Sequence, residues 1–191
     1  MTFKILSLDG GGIRGVLSAR ILQEVEQQIQ AKYGQRLDQY FDLIAGTSTG
    51  SLMAAGLCLG KDTQTLLKMY HDRGREIFPE HIRLRRKLPL VGRLWGFLYP
   101  HGDPERGIPG LSTVLQNTFG NITIADVGEK IITTSGAVVE RPILLIMADD
   151  TLSRNTTFFA SNNPAQNPRW YDQFPLWRIC TASASAPTFF P

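Results

Sequence analysis

Residues 41–50 read Phe41-Asp42-Leu43-Ile44-Ala45-Gly46-Thr47-Ser48-Thr49-Gly50, and Ser51-Leu52-Met53-Ala54-Ala55-Gly56-Leu57-Cys58-Leu59 follows directly. The apolar run at 41–45 has the length and bounds of a buried strand. The stretch at 51–59 is almost wholly apolar or small, the pattern of a helix buried on most of its sides. Between them lies Gly46-x-Ser48-x-Gly50. A serine at such a tight strand-to-helix corner is forced out of the sheet, its Oγ turns toward solvent, and its flanking residues must be small because backbones crowd there. Ser48 is therefore a candidate nucleophile, with Gly46 and Gly50 the glycines of its elbow. The five-residue pattern is weak by itself in a chain with 18 glycines, where an ordinary glycine-rich turn competes with it. The strand before it and the helix after it give it weight.

The same grammar occurs earlier. Residues 4–8 read as a strand, Asp9-Gly10-Gly11-Gly12-Ile13-Arg14-Gly15 follows, and Leu17, Ile21, Val25 and Ile29 then recur every fourth position with Leu22 alongside. That spacing predicts a helix with one apolar face, and Gly34 is a plausible stop. Consecutive glycine N–H groups at a helix N-terminus form a cradle for an anion, including the oxyanion of an acyl-transfer intermediate. Gly10-x-Gly12-x-x-Gly15 also fits the dinucleotide fingerprint, so a nucleotide-binding domain using Gly10–Gly15 is the main alternative. That fingerprint expects an acidic residue about 20 positions on, at the end of the second strand. Here that distance falls inside the first helix, and the second strand runs into Ala45-Gly46-Thr47-Ser48 instead. Gly10, Gly11 and Gly12 are thus read as the oxyanion region. Arg14 either adds positive charge to it or pins the loop through an ion pair.

Beyond the two turns, Asp62 or Thr63 can cap a third helix reaching about residue 78, where Pro79 ends it. Residues 80–110 form an irregular excursion, 111–119 a short helix closed by Gly120, and 143–148 and 156–160 two further strands. Phe174-Pro175 opens a last helix that runs into the small-residue stretch at 181–186. Strands alternating with helices imply an α/β fold, a three-layer α/β/α sandwich around a mainly parallel sheet. The 191 residues, 42% hydrophobic, suffice for one substantial core and are read as a single domain, 1–191. The net charge of +3 is too small to argue for nucleic acid. Cys58 and Cys180 sit among apolar or small neighbours and read as buried thiols, which suits a reducing compartment. No signal-peptide pattern and no run of roughly 20 apolar residues is present, so a cytoplasmic protein with at most peripheral membrane contact is expected.

The two turns, in this order, resemble the patatin-like phospholipases, a family of lipid acyl hydrolases. Its signature pairs a glycine-rich Asp-Gly-Gly-Gly-x-Arg-Gly loop with a later Gly-x-Ser-x-Gly. Ala182-Ser183-Ala184-Ser185-Ala186-Pro187-Thr188-Phe189-Phe190-Pro191 is similar to the family's small-residue segment ending in Ala-Pro-x-x-Phe. The resemblance implies a patatin-like fold and a Ser–Asp dyad with Ser48 as nucleophile. It implies Gly10, Gly11, Gly12 and Arg14 as the oxyanion region, a phospholipid or other acyl-ester lipid as substrate, and no cofactor or metal. The family's dyad aspartate lies in an Asp-Gly-Gly or Asp-Gly-Ala motif beyond the Ala-Pro-x-x-Phe segment. The only Asp-Gly-Gly here is residues 9–11, already part of the loop. The dyad aspartate is therefore expected outside this chain, which reads as a catalytic domain truncated before it and poorly active alone. A catalytically inactive lipid-binding module is the other reading. Asp149 and Asp150 follow a strand, a common place for catalytic groups, but neither precedes a glycine.

A Ser-His-Asp triad is disfavoured, because in α/β-hydrolases the histidine comes last. His71, His81 and His101 all lie early, and solvated or structural roles suit them better. No His/Cys cluster has metal-ligand spacing. Within residues 81–99, Arg83, Arg85, Arg86, Lys87 and Arg93 alternate with Leu84, Leu88, Leu90, Trp95, Phe97 and Leu98, with no acid. That mixture suits transient contact with an anionic lipid surface, or a loop packing its apolar groups on the core; a nucleic-acid patch would need basic residues elsewhere.

Overall fold

Short apolar runs bounded by turn residues become strands here because neighbouring strands satisfy their backbone groups. In the computed structural model, which describes residues 2–77, 104, 110–128, 131–132, 138–139, 141–163 and 167–185, β1 (Ile5–Leu8), β2 (Leu43–Thr47), β5 (Ile143–Asp150) and β6 (Asn155–Ala160) form one sheet in the order β1-β2-β5-β6. β1, β2 and β5 are parallel, while β6 returns antiparallel along β5 through a tight hairpin. The register sets Leu8 opposite Gly46 and Thr47 opposite Met147. The α/β class and mainly parallel sheet expected from the sequence are thus the observed architecture. A separate two-strand ribbon, β3 (Ile131–Ile132) with β4 (Val138–Val139), was not expected.

Seven helices accompany the strands among the described residues: α1 (Gly15–Tyr33), α2 (Leu37–Tyr40), α3 (Thr49–Cys58), α4 (Thr63–Ile77), α5 (Leu111–Phe119), α6 (Ile124–Val127) and α7 (Leu176–Ala184). The punctuation read from the sequence operates as expected. Gly34 ends α1 in the left-handed conformation and returns its N–H to Gln30. The Asp62 carboxylate accepts the Thr65 N–H at the head of α4. The hydroxyl and N–H of Thr65 hold that carboxyl below the usual carboxylate range. Pro175 immediately precedes α7. The basic excursion lies outside the described residues except for positions 104 and 110, and so do His81, His101 and residues 186–191.

All ten residues of α3 are buried. One side rests on β1, β2 and β5, and α1, α4 and α7 close the others. A helix enclosed in this way needs no polar face, which explains the apolar run at 51–59. The sheet face beneath it carries Ile44, Leu144, Ile146 and Phe159, all buried. On the opposite face Leu43, Leu145 and Met147 are half-buried, so the described residues show the helical layers of one face of the expected sandwich.

One sequence expectation is corrected. The every-fourth-residue apolar row of α1 is buried only in its second half: Ile29 is buried, with Leu22 alongside, and Val25 packs partly against the core, but Leu17 and Ile21 are 66% and 65% exposed. The buried stripe is Gly15, Ala19, Leu22 and Ile29. Glu26 lies between them and accepts both the N–H and the hydroxyl of Thr63 at the start of α4. Small residues at 15 and 19 admit close approach by a neighbouring element, so backbone proximity rather than side-chain hydrophobicity chose the face.

Two leucines measure how much the enclosure of α3 matters. Leu52, 0% exposed, should cost about 2–5 kcal/mol when cut to alanine. Leu152, 95% exposed at the β5–β6 turn, should change stability by no more than about 0.5 kcal/mol. Urea unfolding midpoints of the two variants check the contrast.

Candidate active site

The site lies where β1 and β2 end side by side, at the carboxyl edge of the parallel strands, the usual place for functional groups in open α/β sheets. Ser48 occupies the single position between β2 and α3, with φ 50° and ψ −126°. A positive φ is costly for a residue with a Cβ, on the order of 1–3 kcal/mol, and persists only where surroundings enforce it. The enforcement is visible. A Cβ on Gly46 would meet the Gly50 carbonyl carbon at 2.6 Å and the Ser51 Cα at 2.7 Å. A Cβ on Gly50 would lie 2.7 Å from the Leu8 carbonyl carbon and 3.0 Å from the Asp9 oxygen. Both glycines of the elbow are thus required by backbone crossing, as the sequence pattern predicts.

The first glycine turn packs directly on the second. A Cβ on Gly10 would sit 2.5 Å from Ser48 Cβ and 3.3 Å from Ser48 Oγ. The Gly10 N–H donates to Thr47 Oγ1 at 3.1 Å, and the Gly11 N–H to Thr49 Oγ1 at 3.0 Å. The two variable positions of Gly46-x-Ser48-x-Gly50 therefore clasp the loop on either side of the serine. This refines the oxyanion reading: two of the three glycine N–H groups are occupied by threonine hydroxyls, leaving Gly12 as the free glycine donor among the described residues. The same clasp counts against a pyrophosphate cradle, which would need those N–H groups for phosphate oxygens. Arg14 is exposed, and among the described residues no ion pair holds it. Of the two readings left open for it, unpaired charge beside the loop fits this arrangement.

The remaining backbone of the elbow is also tied. The Ser48 carbonyl accepts the Ser51 N–H at 2.9 Å and the Ser51 hydroxyl at 2.6 Å. The Thr49 carbonyl accepts the buried Tyr70 hydroxyl from α4 at 2.9 Å. The Ser48 N–H donates to Ser183 Oγ at 2.9 Å. α3 begins at the next residue, so its positive end faces the serine and favours negative charge there.

Among the described residues, Ser48 Oγ has no hydrogen-bonded carboxylate or imidazole. Asp150 accepts the N–H groups of Leu152 and Ser153 and the Ser153 hydroxyl, which together hold its carboxyl below the usual range. It braces the β5–β6 hairpin. Asp149 is exposed one residue before it. His71 pairs with neighbouring Asp72 on the exposed side of α4, as a solvated histidine does. Cys180 directs its Sγ toward the Ser51 carbonyl, and burial pushes its thiol up to about 12. Cys58 is free and buried as well, its thiol also pushed up by burial. No group of three His, Cys, Asp or Glu side chains is gathered as a metal set among the described residues. A cavity of about 420 Å³, bounded by Gly128, Ser161, Asn162, Arg169 and Asp172, lies toward the opposite edge of the sheet, where Ser161 bonds Leu144 at the start of β5.

Sequence reasoning singled out Ser48 and both glycine turns, which the structure brings into contact, but missed Thr47, Thr49, Tyr70 and Ser183. Their part is to hold backbone across 21 to 135 positions of sequence, and local pattern carries no trace of such pairings.

Comparison with known proteins gives the family and the fold. The sequence pattern of the family described as patatin-like phospholipase matches residues 6–191. Patatin-like protein 1 of Arabidopsis thaliana is 31% identical over 196 residues, covering 98% of this chain and 42% of the plant protein. A cGAMP-activated phospholipase of Escherichia coli (strain TW11681) is 40% identical over 123 residues, covering 63% of this chain and 33% of that protein. Among solved structures, VipD from Legionella pneumophila superposes with a TM-score of 0.50 over 99% of this chain and 43% of its own, at 13% identity, a likeness of fold. The chain spans less than half the length of these relatives.

The packing of α7 on α3 has a chemical readout. With both thiols buried and held protonated, Cys58 and Cys180 should react with a thiol reagent at pH 8 about a hundredfold more slowly in the folded chain than after denaturation. Equal rates in the two states would contradict the packing described.

Proposed function

The chain belongs to the patatin-like phospholipase family, and we propose that it is a serine-dependent lipid acyl hydrolase, of phospholipase A type or a broader lipid esterase, with Ser48 as nucleophile. The observation that carries this reading is the forced positive φ of Ser48 with Gly10 packed against its side chain. That arrangement sets Ser48 at the sheet edge, packed against the glycine loop and at the head of a buried helix.

The mechanism follows from these parts. Ser48 Oγ attacks the ester carbonyl while an aspartate takes its proton. The oxyanion so formed is met by the Gly12 N–H, with Arg14 charge alongside. One well-placed donor of this kind contributes about 3 kcal/mol to lowering the barrier. The tetrahedral adduct collapses, the alcohol portion of the lipid leaves with the proton from the aspartate, and an acyl-serine remains. Water deprotonated by the same aspartate then attacks the acyl-serine and releases the fatty acid. On the family resemblance, that aspartate is proposed to lie in an Asp-Gly-Gly or Asp-Gly-Ala motif beyond the Ala-Pro-x-x-Phe segment.

No helix among the described residues is long and apolar enough to cross a membrane. The substrate is then met at a lipid surface or in dispersed form, and two buried free thiols suit a cytoplasmic setting with transient membrane contact. The basic and apolar stretch at 81–99 is the segment proposed for that contact, without involvement of nucleic acid.

Labelling with a fluorophosphonate serine probe on the chain extended past Pro191 tests the reading. A Ser48 adduct is expected, and Ser48→Ala should abolish it together with at least about a thousandfold of ester hydrolysis. No adduct at Ser48 would leave a lipid-binding module in place of an enzyme. Gly10→Ala should lower hydrolysis about a hundredfold, since the added Cβ must displace Ser48 or the Thr47 carbonyl and a displacement of about 1 Å at the reacting group has that effect. The 191-residue chain alone should hydrolyse esters poorly, and full activity from it would place the base within these residues.

A further inference from the structure

The small-residue stretch at 181–186 matched a family pattern, yet the mechanism above gives it nothing to do. Its most telling contact is Ser183. This residue lies in the last turn of α7, half-buried, and its hydroxyl makes two bonds at once. It accepts the Ser48 N–H at 2.9 Å and donates to the Met147 carbonyl at 2.6 Å. Met147 is the β5 residue paired with Thr47, the last rung between β2 and β5. Beyond that rung the chain turns into α3, and the Ser48 N–H meets the Ser183 hydroxyl in place of a strand carbonyl. The Ser183 hydroxyl thus inserts where the ladder would have continued, bridging the strained residue to the strand beside it.

We infer that Ser183 is a positioning residue for the nucleophile, holding the Ser48 backbone in its strained conformation through this two-bond relay. The inference rests on the hydrolase reading for its kinetic consequence but not for its geometry. A hydroxyl is needed because the site asks for one acceptor and one donor on the same atom, which alanine supplies in neither sense and threonine supplies in both. Two neighbouring contacts fix the approach. Cys180 meets the Ser51 carbonyl one turn earlier, which ties α7 to α3, and the Thr181 hydroxyl bonds back to the Trp177 carbonyl within α7 itself. Ser183 touches the backbone of Ser48 and leaves the Oγ free for chemistry.

The test compares wild type, Ser183→Ala and Ser183→Thr in the full chain extended past Pro191, with two independent measurements. The first is amide hydrogen exchange at Ser48, which needs no activity. Protection is expected in wild type, a loss of about tenfold in Ser183→Ala, and recovery in Ser183→Thr. The second is ester hydrolysis, where Ser183→Ala should lower kcat about tenfold with KM unchanged, and Ser183→Thr should restore it. Unchanged exchange at Ser48 in Ser183→Ala overturns the relay. So does a loss of activity that follows thermal stability alone and is not recovered by threonine. A wild-type chain that neither hydrolyses esters nor takes the fluorophosphonate label refutes the hydrolase reading instead, and the exchange data still decide the role of Ser183.

Discussion

The start of α3 crosses the end of β1 with no room for a single methyl group. Gly50 lies so close to the Leu8 carbonyl that any side chain there would displace one element from the other. This crossing fixes the depth at which α3 enters the molecule and makes the connection from β2 a single residue. Because the connection is so short, Ser48 cannot relax to an ordinary backbone conformation without pulling α3 out of its enclosure. The strain at one residue is maintained by the burial of ten others. Fully burying several large aliphatic side chains, at about 1.5–3 kcal/mol each, outweighs the strain of one φ angle.

The same crowding sets the chemistry of the edge. Gly10 must be glycine because Ser48 fills the space a Cβ would need. The contact brings the loop within reach of Thr47 and Thr49, whose hydroxyls then take two of its N–H groups. Loop, elbow and helix end become one rigid unit, with residue types chosen by space and hydrogen-bond count. A preorganised unit of this kind is what electrostatic stabilisation of a developing anion requires, since donors that must first reorient contribute less.

How much of this was legible in the sequence follows from the range of each interaction. The four strands of the main sheet, the glycine stop of α1, the cap of α4 and both glycine turns obey local rules, and the sequence announces them. The first half of α1 was misread because Leu17 and Ile21 continue the apolar row of Val25 and Ile29 and look like part of one core stripe. The chain instead turned its small residues inward, a choice made by the neighbouring helix and invisible from within α1. The short α2 and α6 helices and the ribbon of β3 and β4 were missed because two to four residues carry no period. Thr47 and Thr49 stood in plain view in the motif, yet their partners lie 37 and 38 positions away. Ser183 is farther still.

The 135 positions between Ser48 and Ser183 also bear on how the molecule comes together. Contacts of such long sequence separation carry a large loop-closure cost and are made late, after local helices and hairpins have formed. A chain emerging from the ribosome has both glycine turns long before α7 exists, so the serine spends that interval without its last brace. Of the bonds made by the Ser48 backbone, this one spans the greatest length of sequence. In vectorial synthesis the elbow therefore waits for α7 before this contact can form.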